Sequence, residues 1–317
     1  PRSTLSSSSA ASDVYKRQQL SYIQKGSNAL IGYVRYVLPN TSAAEQGIKR
    51  GNIFTEVNGT KLNDQNYQSL LSGESYTIDI NRFENGEFTS TGNTISLVST
   101  EYTEDPVYYW DVLEIEGRKI GYLVYNGFTG TNEFDSKLNS VFLEFKTAGI
   151  SNLILDLRYN GGGSVETAVD LAGMITGQFE NEIFIKEYWN KKYQNAWPAE
   201  SYLTRFDSTI RTEEPTNSLQ LQEVTVIATR SSASASELII NGLEPHIKVT
   251  HVGDTTRGKF QASTTLYDAP NFWKYDDNKN LHVNPNHKYV IQPLIFKSAN
   301  ADGKTDFVDG LFPDVPL

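Results

Sequence analysis

Ser234 and Lys259 are the residues whose types and spacing point to chemistry. Ser234 lies in the run Ser232-Ala233-Ser234-Ala235-Ser236-Glu237, between the apolar stretch VTVIAT that starts at Val224 and a helix-like segment that ends near Leu243. Lys259 follows 25 positions later, beside Gly258, after the second apolar stretch IKVTHV. The expected order is a buried strand, a serine-rich turn, a helix, a second strand and a loop carrying the lysine. A serine hydroxyl becomes an effective nucleophile when a nearby base takes its proton, and a neutral lysine amine can be that base. A free lysine ionises near pH 10.4. Lowering that by about 3 units means penalising the charged form by roughly 4 kcal/mol, which burial can do. Each residue also has a plainer reading. Ser234 and Glu237 have the spacing of a capping box, and a lysine beside a glycine is commonly a solvated loop residue.

Asn160-Gly161-Gly162-Gly163 is the second candidate element. It follows the apolar run NLILDLRY, so it falls at the C-terminal mouth of a buried strand, where α/β sheets place their sites. Glycines let main-chain N–H groups approach a ligand closely. The amide of Gly161 or Gly162, paired with that of Ala235, would make an oxyanion hole. A tight turn and a phosphate cradle are the rival readings, although no Gly-Lys-Ser/Thr follows as in a phosphate-binding loop.

The elements that must position these residues can be traced from the N-terminal side. Residues 1–18, rich in serine and alanine, read as a disordered leader or an assembly scar outside the fold. From Ala29 to Ser99, strand patterns dominate. IGYVRYVL alternates, SAAEQGI can form a short helix behind Asn40-Thr41-Ser42, and IFTEVNGTKL reads as a hairpin about Asn58-Gly59. DQNYQSLLSG is expected to be helical from an Asp64 cap, and two closing strands flank Glu84-Asn85-Gly86. These fit a small barrel of five or six strands. Residues 99–117 read as an acidic linker passing into a strand. Beyond it, Phe134, Leu138, Val141, Phe142 and Phe145 share one face of a helix over Asn132–Ala148. A second helix is expected from Ser164 to about Thr176, which gives a strand–helix alternation and an α/β domain with a largely parallel sheet. Residues 178–221 are irregular and aromatic-rich, suited either to lining a groove or to sealing a sheet edge.

Composition narrows the function classes. The 317 residues suggest two domains, and the net charge of −10 without basic runs disfavours nucleic acid and anionic membrane as partners. With 0 cysteines, thiolate nucleophiles and disulfides are excluded. His246, His251, His282 and His287 lack the spacing of a zinc motif, His246 and His251 are expected to be surface or packing residues, and no metal or other cofactor is expected. No apolar run is long enough to span a membrane, and no signal peptide is visible.

Three motifs in order resemble the C-terminal processing peptidases, or tail-specific proteases. Asp156-Leu157-Arg158-Tyr159-Asn160-Gly161-Gly162-Gly163 is similar to that family's glycine motif. Ser232 to Glu237 is similar to its nucleophile motif, and Gly258-Lys259 to its general-base motif. Gly310-Leu311-Phe312-Pro313-Asp314 resembles its closing segment. Upstream, Ser42-Ala43-Ala44-Glu45-Gln46-Gly47-Ile48-Lys49-Arg50-Gly51-Asn52-Ile53-Phe54, followed by Val57-Asn58-Gly59, resembles a bacterial PDZ domain. The resemblance covers roughly residues 29–317. It implies a PDZ-like domain over 29–100 that holds protein C-terminal tails and gates the site. It also implies a crotonase-like (ClpP-like) catalytic domain over 101–317. The implied activity is serine endopeptidase action near protein C-termini, in the periplasm or at the cell envelope. Many members carry a glutamine four residues after the lysine; here that position is Ser263, and Gln261 lies two after, so either can orient Lys259. The rival classes are a non-catalytic holder of peptides or apolar ligands on the same scaffold, and a PDZ-based adaptor. A crotonase acting on CoA thioesters would leave the serine and lysine unexplained.

Overall fold

The computed structural model describes residues 8–9, 18–23, 26–270, 272–276, 278 and 280–317. Most of the expected leader, 1–18, lies outside the described residues. The chain divides into two units, Pro1–Glu104 and Asp105–Leu317.

In the first unit, β1 (Gln18–Tyr22), β2 (Leu30–Val34), α1 (Ser42–Glu45), β3 (Ile53–Val57), β4 (Thr60–Lys61), α2 (Tyr67–Leu71), β5 (Ser75–Glu84) and β6 (Glu87–Val98) follow in order. The sheet order is β1-β2-β3-β5-β6, antiparallel throughout, with β4 paired to β3. β2 alternates buried and half-buried residues, as expected of a strand with one face on a core. That core gathers Leu30, Phe54, Val57, Leu62, Leu71, Ile78 and Leu97. The Thr41 hydroxyl caps α1 by accepting from Ala44 N. The second helix starts at Tyr67, later than Asp64. Asn63 Oδ1 takes the amides of Gln65 and Asn66, both at 2.9 Å, and this side-chain turn competes with the first helical turn.

The second unit begins with β7 (Val107–Ile115), β8 (Arg118–Tyr125), α3 (Asn132–Ala148), β9 (Asn152–Asp156) and α4 (Val165–Ile175). It continues with β10 (Ile183–Trp189), β11 (Leu203–Arg205), β12 (Glu223–Ala228), α5 (Ala235–Leu243), β13 (Lys248–Gly253), β14 (Gln261–Ser263), β15 (Leu294–Ala299) and β16 (Val315–Pro316). The main sheet has the order β16-β13-β12-β9-β8-β7. All neighbours run parallel except β7, which is antiparallel to β8. Leu153, Leu155, Val224 and Val226 are buried in this sheet, which is why their segments read as apolar runs. α3 sets Leu138, Val141, Phe142 and Phe145 into the core with Leu171, Met174 and Ile175 of α4 and Ile239 and Ile240 of α5.

The main sheet is largely parallel, as expected; a second sheet, β11-β10-β15-β14, is antiparallel and was not foreseen, and it makes the architecture an α/β fold with mixed sheets. Its strands come from distant, aromatic-rich stretches without clean alternation, so periodicity did not announce them. Phe184 is wholly buried, 5.0 Å from Phe206, while Trp189 stacks on Phe296 at 4.8 Å beside the part-exposed Trp197. Among the described residues, no helix is long and apolar enough to cross a membrane.

Candidate active site

Two turns at the C-terminal ends of neighbouring parallel strands form the site. β9 leads into Asn160-Gly161-Gly162-Gly163, and β12 leads into the serine-rich turn before α5. Side chains bind the two turns together. Ser232 Oγ donates to Leu157 O at 2.7 Å, Ser236 Oγ donates to Asn160 O at 2.9 Å, and Thr229 Oγ1 donates to Arg158 O at 2.7 Å. Asn160 is wholly buried. Its Nδ2 donates to Tyr125 O and its Oδ1 accepts the Gly162 amide, both at 2.9 Å. Gly162 has φ of 93°, and a Cβ there would lie 2.6 Å from Ala233 O and 2.7 Å from Ser234 Cβ. Only glycine lets the turns close to this separation.

Of the three serines in Ser232-Ala233-Ser234-Ala235-Ser236, the outer two are fully buried with their hydroxyls committed to carbonyls of the opposite turn. Ser234 is half-buried and faces an open cleft. Its backbone sits at φ 57°, ψ −114°, a conformation that costs a non-glycine residue about 1–3 kcal/mol and persists only when the surroundings over-determine it.

Glu237 supplies that over-determination. Its side chain is wholly buried. Oε2 accepts the amides of Ser234 (2.8 Å) and Lys259 (2.9 Å), and Oε1 accepts the amide of Gly258 (2.6 Å) and the hydroxyl of Thr256 (2.7 Å). The four donors around this buried side chain, three amides and a hydroxyl, satisfy its hydrogen bonding. The closing segment holds the same loop from the other side. Leu311 N donates to Thr256 Oγ1 at 2.7 Å, Thr256 N donates to Leu311 O at 3.0 Å, and Arg230 Nη1 donates to the carbonyls of Thr256 and Asp309. Gly258 has φ of 87°, with the place of a Cβ only 2.3 Å from Val308 O.

The cleft is lined by Ser234, Ala235, Lys259 and Gln261, with apolar walls from Val165, Leu238, Phe260, Ala262 and Phe307. The structure therefore brings Ser234, Ala235, Lys259 and Gln261 to one place; Ser263, the other candidate to orient the lysine, lies outside the lining. Gly161 is exposed at the edge of the glycine turn, whereas the Gly162 amide is spent on Asn160. Lys259 is exposed, so the fold does not supply the burial that the sequence reading asked of it. No hydrogen bond joins Ser234 Oγ to Lys259 Nζ among the described residues. His251 is buried in β13, where loss of hydration holds its pKa below the ordinary histidine value. His246 packs against Phe179 and Phe206. Beneath the glycine turn, the Tyr122 hydroxyl donates to Asp156 at 2.8 Å and is pushed up to about 12 by burial and by that carboxylate. Among the described residues, no group of His, Asp and Glu is arranged to hold a metal.

The capping box expected of Ser234 and Glu237 is formed, and what sequence reasoning did not see is that Glu237 also bonds the lysine loop. Sequence reasoning also passed over Ser232, Ser236 and Asn160 as cross-ties. The only local signal was the capping-box spacing, because the partners of these groups lie far away along the chain.

Comparison with known proteins extends this geometry. Residues 119–293 match the model of peptidase family S41. A "Probable CtpA-like serine protease" of Staphylococcus saprophyticus is 23% identical over 235 residues, 72% of this chain and 42% of that protein. A "Carboxy-terminal-processing protease" of Bartonella bacilliformis is 24% identical over 239 residues, 72% of this chain and 49% of that protein. The chain thus spans under half the length of these relatives. Among solved structures, a Bacteroides fragilis protein named for the S41 proteases aligns with a TM-score of 0.74 at 24% identity, covering 95% of this chain and 74% of the other. The photosystem II D1 C-terminal processing protease aligns with a TM-score of 0.51 at 18% identity, covering 95% and 71%. The family match takes in more than half of the 317 residues and both the glycine and the serine turns, so the chain belongs to peptidase family S41.

Proposed function

We propose that this chain is a serine endopeptidase of the carboxy-terminal-processing type, working through a Ser–Lys dyad. Ser234 is the nucleophile, Lys259 the general base, and Gln261 the residue that orients the lysine. In the reaction, neutral Lys259 takes the Ser234 proton as Oγ attacks a peptide carbonyl. The oxyanion is held by the amides of Ala235 and Gly161, since that of Gly162 is already bonded to Asn160. Lys259 then protonates the leaving amine, and water hydrolyses the acyl-enzyme. Apolar walls from Val165, Leu238 and Phe307 suit a small or apolar side chain beside the scissile bond.

The observation that carries this reading is the selective placement of Ser234. Its two neighbours in the motif are bound as structural ties, while it alone faces the cleft, on a strained turn of the kind that presents a nucleophile. The exposure of Lys259 is the one feature that favours a ligand-holding scaffold instead. A polypeptide filling the cleft would bury the amine and penalise its charged form, which is what the base needs.

On this reading, the catalytic unit takes the crotonase-like (ClpP-like) form over 101–317, and residues 29–100 act as a PDZ-like domain. Both edges of β2 are occupied in this structure, one by β3 and one by β1, so a tail added as a strand there would displace β1. The substrates are protein or peptide tails, and the site of action is the periplasm or cell envelope, the compartment that fractionation of a producing cell would reveal. The direct test incubates wild-type and Ser234→Ala chains with a denatured protein and identifies released peptides by mass spectrometry. Peptides from near the substrate's C-terminus, absent with Ser234→Ala, are the expected result. Equal cleavage by both would refute the assignment.

A further inference from the structure

Ala262 and Ser298 line the cleft and belong to a sheet face that continues beyond it, across β15 and β10. Residues directly opposite on paired strands carry their side chains on the same face, with Cβ atoms about 5 Å apart. Ala262 is opposite Phe296, Phe296 is opposite Trp189, and Ser298 is opposite Glu187. The face that bears the two lining residues therefore also bears Phe296, Trp189 and Glu187. Trp189 stacks on Phe296 with the ring planes 19° apart, and Trp197 closes on Trp189 edge-on at 5.2 Å. Ala262 contributes only a methyl group to this row, and Phe296 stays part-exposed beside it.

Glu187 stands half-buried among these rings without a counter-charge. Trp189 Nε1 donates to its Oε2 at 2.8 Å, and among the described residues Oε1 receives no hydrogen bond. The lysines beside it in the sheet are committed elsewhere: Lys186 Nζ donates to Ala301 O, and Lys297 Nζ donates to Asp306 at 2.6 Å. Burial pushes the Glu187 carboxyl above the ordinary glutamate value, and the Trp189 bond offsets this only in part. An apolar side chain laid on this face would bury the carboxylate further, at a cost. A cation would supply the charge that burial leaves unmatched, and the faces of tryptophan and phenylalanine attract cations as well.

We propose that this face is a specificity subsite for a basic side chain of the substrate polypeptide, lysine or arginine, whose charge meets Glu187 Oε1 and whose stem lies along Phe296 and Trp189. This rests on the peptidase reading of the cleft and adds to it a rule of substrate choice. Long basic side chains combine an apolar stem with a charged end, which matches an aromatic wall that ends in a carboxylate. The apolar walls of Val165, Leu238 and Phe307 then read one side chain and this subsite reads another.

The test walks a single lysine through fluorescein-labelled ten-residue peptides of alanine and leucine, each compared with the same peptide carrying norleucine, which lacks the amine. Binding to the full chain carrying Ser234→Ala is read by fluorescence anisotropy. The expected result is one position at which lysine binds about tenfold more tightly than norleucine, the effect of one charge-assisted hydrogen bond. Arginine should share this preference, and glutamate should bind worst there. Glu187→Gln, added to the same chain, keeps an acceptor for Trp189 and should bring the ratio of lysine to norleucine to about one. The comparison between peptides needs no change at position 187, so it decides even where Glu187→Gln fails to fold. Norleucine binding as well as lysine at every position, no binding by any peptide, or a lysine preference that survives Glu187→Gln overturns the proposal. So does a lysine preference spread evenly along the peptide, which the net charge of −10 alone would give. Cleavage of the same peptides by the wild-type chain is measured separately. Ser234-dependent cleavage without a localised lysine preference rejects the subsite alone. A localised preference that depends on Glu187, without cleavage, rejects the peptidase reading alone.

Discussion

Glu237 and Lys259 are bonded through the main chain: Oε2 of the buried glutamate accepts the lysine amide at 2.9 Å and, on the same oxygen, the Ser234 amide at 2.8 Å. One carboxylate therefore sets the spacing between the two residues of the proposed dyad. Glu237→Gln keeps the shape but replaces one acceptor oxygen by an NH2 group that faces N–H donors. The expected outcome is a loss of about 2–4 kcal/mol of stability, the effect of leaving buried polar groups unpaired. Cleavage should fall at least a hundredfold even at temperatures where the variant stays folded. Thermal unfolding and turnover of a fluorogenic peptide, measured on the same sample, separate the two effects.

The serines of the motif should divide by function. Ser232→Ala and Ser236→Ala each remove a buried tie to the opposite turn, at 2.7 and 2.9 Å. Each is expected to lower stability by about 1–3 kcal/mol and to keep measurable cleavage. Ser234→Ala is expected to unfold close to the wild-type temperature and to cleave nothing. Similar losses in all three would remove the distinction drawn here between ties and nucleophile.

Adjacent glycines should respond in opposite ways. A methyl group at Gly161 meets nothing within 4 Å, whereas one at Gly162 would lie 2.6 Å from Ala233 O. Gly161→Ala is therefore expected to fold and retain its amide for the oxyanion. Gly162→Ala must push the serine turn aside and should lose both stability and cleavage. Circular dichroism melts and peptide turnover of the pair decide it.

Asp170 on α4 gives a pH dependence of stability. Burial pushes its carboxyl up to about 6, offset in part by the bond it accepts from Arg211 N at 3.1 Å. Asp135 and Glu166 nearby raise it further, and the Arg211 charge opposes them. A raised acid binds its proton more tightly folded than unfolded, so its stabilising effect is complete below about pH 4 and is lost as pH rises through about 6. With allowance for residual solvent screening, the change is about 1–2 kcal/mol. Asp170→Asn keeps an acceptor for Arg211 and should flatten stability between pH 4 and 7 in denaturant titrations. An unaltered slope would show that another group carries the dependence.

The local features of this protein were legible in its sequence because their causes are local. The face of α3 follows from five apolar residues at helical spacing, and the hairpin at Asn58-Gly59 from two residues that accept positive φ. The serine turn, the glycine turn and the lysine could be named as candidates because reactive residue types stood beside strand ends. Tertiary structure decided which of them share a cleft. Gln261 lines it and Ser263 does not, and Ser234 is exposed to it while Ser232 and Ser236 are buried. It also decided that Glu237 joins a helix start to a loop more than twenty residues away, and that Lys259 stays in solvent. These outcomes depend on which distant groups satisfy buried hydrogen bonds, and no periodicity or spacing along one chain encodes that pairing.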